Sequence, residues 1–439
     1  MPLSRSLLCL LFAASLAHAD VTKATFTVSA GKHDRKNEPV RVPLQLSFVP
    51  TDLAQVEIRD DKDKLVAPGQ LTNPNLITES IEAAKDRHRV DLVFVLPSLD
   101  ADKTATYKAV ISDKKHDPFA YFHGKDLDGG SEWRFGDRLV MGYVSPKLDE
   151  SSAKAREETF KVFHRVYDPT GKFLLTKDTG GLYTHHRGIF YGFMKVTYGK
   201  NTVDIWHCKN DTHQAHADVK QHSAGRVLAE HRLEIDWNGV GKKTFAKELR
   251  ELTTYDVPGG RMIDFTSKLT PTDEDVKLDG DPQHAGFHFR ASNEVADRQA
   301  EYEKAMKIKD ADQREEALKK VAVKELTVFI RPDGEGKPGT ETNWPANKKH
   351  VDLPWLAMSF VVKGKRFTVC YLDQPTNPKE ARFSERAYGR FGSYFVTTVK
   401  KEKPLVVRYR LWIQEGKMKG DDVAALSRAF VEPVTVKVK

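Results

Sequence analysis

Cysteine is scarce in this sequence: three residues in 439, and Cys9 sits in an apolar run at the N-terminus. A disulfide-knot protein is thereby excluded. The remaining pair, Cys208 and Cys370, could close at most one bridge, so stability must come from a packed core. Long hydrophobic runs are missing too. Beyond the N-terminus no stretch approaches the ~20 apolar residues that a spanning helix needs, which excludes a helical membrane enzyme. Also absent are a dense basic run, a Gly-x-Ser-x-Gly elbow and a phosphate-binding P-loop pattern. These absences weigh against a nucleic-acid binder, a serine hydrolase and an NTPase. The net charge of +8, from 70 basic and 62 acidic residues, is mild and selects no partner.

Residues 1–5 carry one positive charge, residues 6–16 are apolar, and Ala17-His18-Ala19 precedes Asp20. That order is the signature of a secretory signal. It predicts a secreted or periplasmic protein cleaved after Ala19, with no membrane span afterwards. Residues 20–125 then read as short alternating strands, for example 25–28, 42–48, 90–95 and 106–111. Period-2 alternation at this spacing predicts a small β-sandwich, followed by a Lys-, Asp-, His- and Gly-rich linker at 112–131.

From Trp133 onward the apolar segments are longer and more aromatic. Segments 190–198, 227–237, 247–255, 262–269, 326–330, 356–362, 367–371, 394–399 and 405–412 all fit strands. So many strands with few helical signals predict an all-β fold, with a large two-sheet β structure over 132–439. An Ala-, Glu-, Lys- and Arg-rich stretch at 293–324 predicts a solvated helical insertion, because its apolar stripe is too thin to drive tight pairing.

Ten of the 16 histidines fall between His164 and His288, where even spacing would place four or five. Histidine titrates near neutral pH and is the commonest metal ligand, so this excess points to a site. The sharpest segment runs Gly180-Gly181-Leu182-Tyr183-Thr184-His185-His186-Arg187-Gly188-Ile189-Phe190. On a strand His185 and Arg187 would share one face and His186 the other, so at most one histidine would reach the site unless the segment bulges. Trp206-His207 suits sugar recognition, with indole over an apolar sugar face and imidazole at a hydroxyl. His284, Gly286, His288 and Arg290 alternate against Phe287 and Phe289, which predicts a basic, ligand-ready face behind an aromatic one. Asp373, Asn377, Glu385, Arg386 and Tyr388 crowd a proline-containing loop region, where loop-stabilising hydrogen bonds compete with ligand binding. His213 and His216 resemble a fragment of a zinc set, but neither His-Glu-x-x-His nor paired Cys-x-x-Cys occurs. No cofactor is required by the sequence; a divalent metal is possible.

The order His185-His186-Arg187-Gly188, Asp373-x-Pro375-x-Asn377-Pro378, Arg386-x-Tyr388-Gly389-x-Phe391 and Arg408-Tyr409-Arg410 resembles an uncharacterised bacterial family labelled "methane oxygenase PmoA". The match spans about 132–416. The Asp-His that often precedes the histidine pair in that family is Tyr183-Thr184 here. A particulate methane monooxygenase subunit is membrane-embedded, so the label does not describe this chain. The resemblance implies a galactose-mutarotase-like supersandwich and, by association, carbohydrate chemistry.

The resulting expectation is a secreted carbohydrate-active protein with acid–base chemistry on a sugar or an oxidised (keto) glycoside. His185, His186, His207 and Glu385 would be the catalytic groups. Arg187, Trp206, His284, His288, Arg290, Asp373, Asn377, Arg386 and Tyr388 would bind substrate. The competing readings are a non-catalytic glycan-binding module and a structural cell-surface protein.

Overall fold

The computed structural model describes residues 22–47, 54–79, 85, 87–112 and 121–439. The expected export signal, its cleavage site and residues 113–120 of the expected linker lie outside them. The all-β expectation holds. The described residues form four sheets of seven, eight, four and nine strands with few helices. Among the described residues no helix is long and apolar enough to cross a membrane.

The strands of the leading part are hydrogen-bonded into one seven-stranded sheet. Its order is Arg35–Leu46, His88–Leu99, Leu65–Thr72, Gln55–Arg59, Thr104–Ser112, Thr22–Ser29 and Thr435–Val438. The two end strands also touch, so the sheet curls on itself. Strict alternation makes this possible: Val40, Val42, Leu44 and Leu46 point inward with Phe26, Val28, Phe94 and Ile111. The last strand therefore belongs to the first sheet. Thr435 to Val438 pair antiparallel with Ser29 to Phe26, a closure that no local pattern predicts. Conversely, Phe122–Leu127 joins the eight-stranded sheet.

The large part is a two-sheet sandwich. The eight-stranded sheet runs Arg382–Arg386, Arg390–Tyr394, Ala285–Arg290, Ile189–Phe193, Phe163–Val166, Arg138–Val144, Gly130–Phe135 and Phe122–Leu127. Facing it is the nine-stranded sheet, whose long members include Leu228–Asn238, Thr244–Val257, Gly260–Pro271, Leu405–Glu415 and Lys365–Asp373. Aromatic rings fill the space between them: Phe287 stacks on Phe265 at 4.3 Å and on Tyr409 at 4.7 Å. The expected insertion is a helical pair, Asn293–Met306 and Ala311–Lys320. A further helix, Gly420–Val431, was not evident from the sequence and buries Val423 and Phe430. Gly334, Gly336 and Gly339 have the spacing of a dinucleotide fingerprint, but Gly334 lies within a tight hairpin and the segment leads into no helix, so the mechanism of that motif is missing.

Cys208 and Cys370 are both buried free thiols. The possible bridge between them does not form.

Candidate functional site

The histidine pair does not lie on a strand. Gly180, Gly181, Tyr183 and Gly188 have φ of 75°, 67°, 52° and 43°, and the strand begins only at Ile189. At Gly188 a Cβ would stand 2.0 Å from the His164 carbonyl oxygen, so the chain can turn there only with glycine. Alternation therefore does not apply. The His185 and His186 rings come together at 4.2 Å, where strand geometry would have separated them.

Arg187 holds this turn from within. Its guanidinium is buried and donates to the carbonyls of Thr184 at 2.9 Å, Glu158 at 3.2 Å and Glu157. The expected substrate role is replaced by a structural one, because those donors are already committed. Two buried lysines, which sequence reasoning missed, complete the frame. Lys161 Nζ donates to the His185 carbonyl at 2.8 Å and to that of Trp206. Lys177 Nζ donates to the His186 carbonyl at 3.0 Å. Burial pushes both ammonium groups down to about 7.

Two further histidines arrive on matching turns. Asp204 Oδ1 accepts the main-chain N–H groups of Trp206 at 3.0 Å and His207 at 2.8 Å, while its Oδ2 lies 2.8 Å from His207 Nδ1. Asp281 Oδ1 accepts those of Gln283 at 2.7 Å and His284 at 3.0 Å, and His284 Nδ1 sits 3.1 Å from both carboxylate oxygens. In each Asp-x-x-His segment the aspartate closes an Asx turn and orients the histidine three residues on. The spacing is visible in the sequence. It also occurs at Asp113 and His116, outside the described residues, so spacing alone does not select the site.

The four rings converge. His207 lies 4.4 Å from His185 and 4.7 Å from His284, and His284 lies 5.6 Å from both His185 and His186. One ligand atom each from His185, His207 and His284 lies within 4.8 Å of the others. The turn between Arg382–Arg386 and Arg390–Tyr394 brings in Tyr388, whose ring is 6.4 Å from His186 and 4.9 Å from Tyr183. Tyr183 is 46% exposed, so this aromatic pair marks the open side. Arg290 lies 5.0 Å from the Tyr388 ring. Its Nη1 donates to the Tyr388 and Ala291 carbonyls, and its buried Nε and Nη2 have no hydrogen-bond partner among the described residues.

Burial dominates the electrostatics of the His185–His186 pair. Burial, aided by Lys161, pushes His185 down to about 2, and burial with Arg390 pushes His186 well below its ordinary value. Both are neutral imidazoles at physiological pH, suited to offer lone pairs and unsuited to deliver protons. Burial works to raise Asp204 and Asp281, yet the hydrogen bonds from His207 and His284 outweigh it and hold both carboxyls below the usual range.

Several expected site residues lie elsewhere or serve the scaffold. Trp206 is 1% exposed and packs beneath the site, 4.8 Å from His288 and 5.1 Å from Phe190, so it cannot stack on a sugar. His288 is a satisfied core histidine. Its Nδ1 accepts from Arg390 Nη1 at 2.6 Å and its Nε2 donates to the Ala285 carbonyl at 2.7 Å. The predicted alternation on Ala285–Arg290 holds, but the supposed ligand-ready face is buried. Glu385 is fully buried and bound to Arg331 at 2.6 Å, to the Thr342 N–H at 3.1 Å and beside His350 at 3.4 Å, which ties it to a structural ion pair rather than to the histidines. Asp373 meets Lys379 at 2.6 Å and Asn377 at 2.7 Å, and Asn377 fastens the loop to the main chain of Arg408. Arg386 pairs with Glu341.

Most of the other histidines of the rich window gather about a second centre. His213 has one nitrogen at the Asp211 carbonyl and the other at Asn238, so it is no partner of His216 in a metal set. His216, His222 and His231 line a cavity of about 410 Å³ with Trp133 and Tyr143. Burial pushes His231 down to about 3.

No curated protein matches the sequence. Two solved structures from Enterococcus faecalis show distant likeness: a protein in the glycosyl hydrolase family 38 (9% identity, TM-score 0.43) and an alpha-mannosidase from strain V583 (9%, 0.40). Each alignment covers 95% of this chain but only 47% and 46% of the solved chain, so this protein spans under half their length. The family model for a family of unknown function, DUF6807, matches residues 131–428, which contain the whole histidine cluster, and the chain belongs to that family.

Proposed function

We propose that this chain is an exported carbohydrate-active protein that binds a sugar against Tyr183 and Tyr388 and acts on it through the histidines behind them. The observation that carries the reading is the convergence of His185, His186, His207 and His284 with that tyrosine pair. Aromatic faces cover the apolar C–H face of a sugar, while imidazole nitrogens suit its hydroxyls. Each Asp–His pair fixes Nδ1–H on the carboxylate and leaves Nε2 as the basic nitrogen, the arrangement that proton transfer uses. His185 and His186 would accept hydrogen bonds. The sugar-related associations of the resembled family, and export by the N-terminal segment, are parts of the same proposal.

The test is a binding survey of mono- and disaccharides and their keto derivatives by protein-observed NMR, followed by product analysis of any binder. At least one sugar is expected to bind at millimolar affinity or better, with a fivefold or greater loss in both Tyr183→Ala and Tyr388→Ala. Binding unaffected by either substitution, or no binding across the panel, overturns the reading.

A further inference from the structure

From the same side chains we infer a second property: His185, His207 and His284 form a binding site for a first-row divalent transition-metal ion of the zinc class. The inference uses the site of the preceding proposal but needs no sugar.

The first support is the donor set. Three imidazole nitrogens, one from each residue, lie within 4.8 Å of one another. A tetrahedral centre with metal–nitrogen bonds of about 2.0–2.1 Å holds its ligand atoms roughly 3.3 Å apart, so a modest inward movement of the rings closes the set. Side chains on turns can make that movement. His207 and His284 are 19% and 23% exposed, which gives an ion a way in.

The second support is orientation. Metal-binding histidines characteristically donate their other ring N–H to a carboxylate or carbonyl, which fixes the tautomer and raises the basicity of the ligating nitrogen. Asp204 and Asp281 stand in that position behind His207 and His284, at 2.8 and 3.1 Å. Two independent turns thus hold Nδ1 of their histidines on carboxylates, which leaves Nε2 as the nitrogen each can offer to an ion. The two carboxylates also supply the negative charge that a dication requires beside the buried lysines.

The third support is His185 itself. Its Nε2 is buried and has no hydrogen-bond partner among the described residues. An unpaired buried polar nitrogen is costly, and a metal ion is a partner that would satisfy it. Hard cations such as magnesium and calcium take oxygen ligands and fit this nitrogen set poorly. Three protein ligands leave coordination positions for water or substrate, as in catalytic rather than structural zinc sites. A bound metal would take the Nε2 lone pairs of His207 and His284, so proton transfer at those two nitrogens belongs to the metal-free protein.

The experiment uses the full chain, stripped with chelator and titrated with Co²⁺ by visible absorption and with Zn²⁺ by calorimetry, in the absence of sugar. One equivalent is expected to bind at micromolar affinity or tighter, with the intense absorption of low-coordinate cobalt; Mg²⁺ should give no signal. His207→Gln and His284→Gln, both at partly exposed positions, should each weaken binding at least tenfold. Asp204→Asn should weaken it 10- to 100-fold while the ligands remain. His216→Gln, in the second cavity, should leave it unchanged. No stoichiometric binding, or equal binding in the His207 and His284 variants, overturns the inference. Sugar binding through Tyr183 and Tyr388 is measured separately on the metal-free protein, so either proposal can fail while the other stands.

Discussion

His207 Nδ1 lies 2.8 Å from Asp204 Oδ2, and Oδ1 of the same carboxylate holds the turn that carries the ring. The two oxygens have separable tasks. Asp204→Asn retains an oxygen for the main-chain N–H groups but can present an amide N–H₂ to the imidazole, which then has to accept. The ring proton is expected to move from Nδ1 to Nε2, detectable in ¹⁵N-edited spectra of the histidine side chain. The lost charge-assisted hydrogen bond should lower stability by about 1.5–3 kcal/mol. An unchanged tautomer in a folded variant would contradict the assignment. Asp281→Asn should do the same to His284.

Lys161 gives a pH signature. Its ammonium is pushed from 10.5 down to about 7 by burial, with Cys208 and Asp204 acting against that and Arg187 and Lys177 adding to it. Between about pH 7 and 10.5 the unfolded chain therefore holds a proton that the folded chain has released, so stability should rise with pH across that window. Denaturant unfolding at pH 7, 8 and 9 is the measurement. Lys161→Met removes the titration, and its stability should rise less steeply than that of the wild type. The variant should also be less stable, by about 1–3 kcal/mol, because the buried carbonyls of His185 and Trp206 lose their donor. Parallel slopes in the two proteins would show that Lys161 is not buried as described.

How much of this was legible in the sequence depends on the range of the interaction. Strands such as Leu228–Asn238, Thr244–Val257 and Gly260–Pro271 announce themselves by local periodicity, and the segments at 227–237, 247–255 and 262–269 anticipated them closely. The histidine excess drew attention to the window in which His185, His186, His207 and His284 do come together, with Tyr388 beside them. What could not be read was non-local. Glycines at positive φ replaced alternation by a turn at His185 and His186, which let both reach one side. Trp206 and His288 carry the residue types of a sugar site, yet the strand pairing of Phe190 with His288 puts His288 on a layer that the buried Trp206 covers. Lys161 and Lys177 look like surface lysines in sequence. Only the carbonyls they meet, from segments some distance along the chain, explain their burial.

The last strand offers a test of the topology. Thr435–Val438 completes the first sheet, with Val434 and Val436 packed on its core. Deleting residues 433–439 uncovers the edge at Thr22–Ser29 and part of the hydrophobic interior. The stability of the leading sheet should fall by about 2–3 kcal/mol on the area it exposes. Limited proteolysis should then cut within residues 22–112 sooner than in the intact chain, while the histidine site stays protected. An unaltered cleavage pattern would place the strand elsewhere.

Glu385 separates a structural carboxylate from a catalytic one. Burial raises its carboxyl, and Arg331 and the Thr342 N–H only partly offset this. Both oxygens are committed, and the side chain is sealed from solvent. Glu385→Gln keeps the shape and removes the charge, which leaves the Arg331 guanidinium without its counter-ion. Breaking a buried pair by removing one member costs about 3–5 kcal/mol, and the low end applies here because Arg331 remains 15% exposed. The melting temperature should fall accordingly. At a temperature where the variant is folded, its affinity for Zn²⁺ and for any sugar that the wild type binds should stay within twofold, because the carboxylate's hydrogen-bond and ion-pair partners are Arg331, Thr342 and His350. A catalytic base would behave in the opposite way, with stability preserved and turnover lost, so the two measurements together decide between the roles.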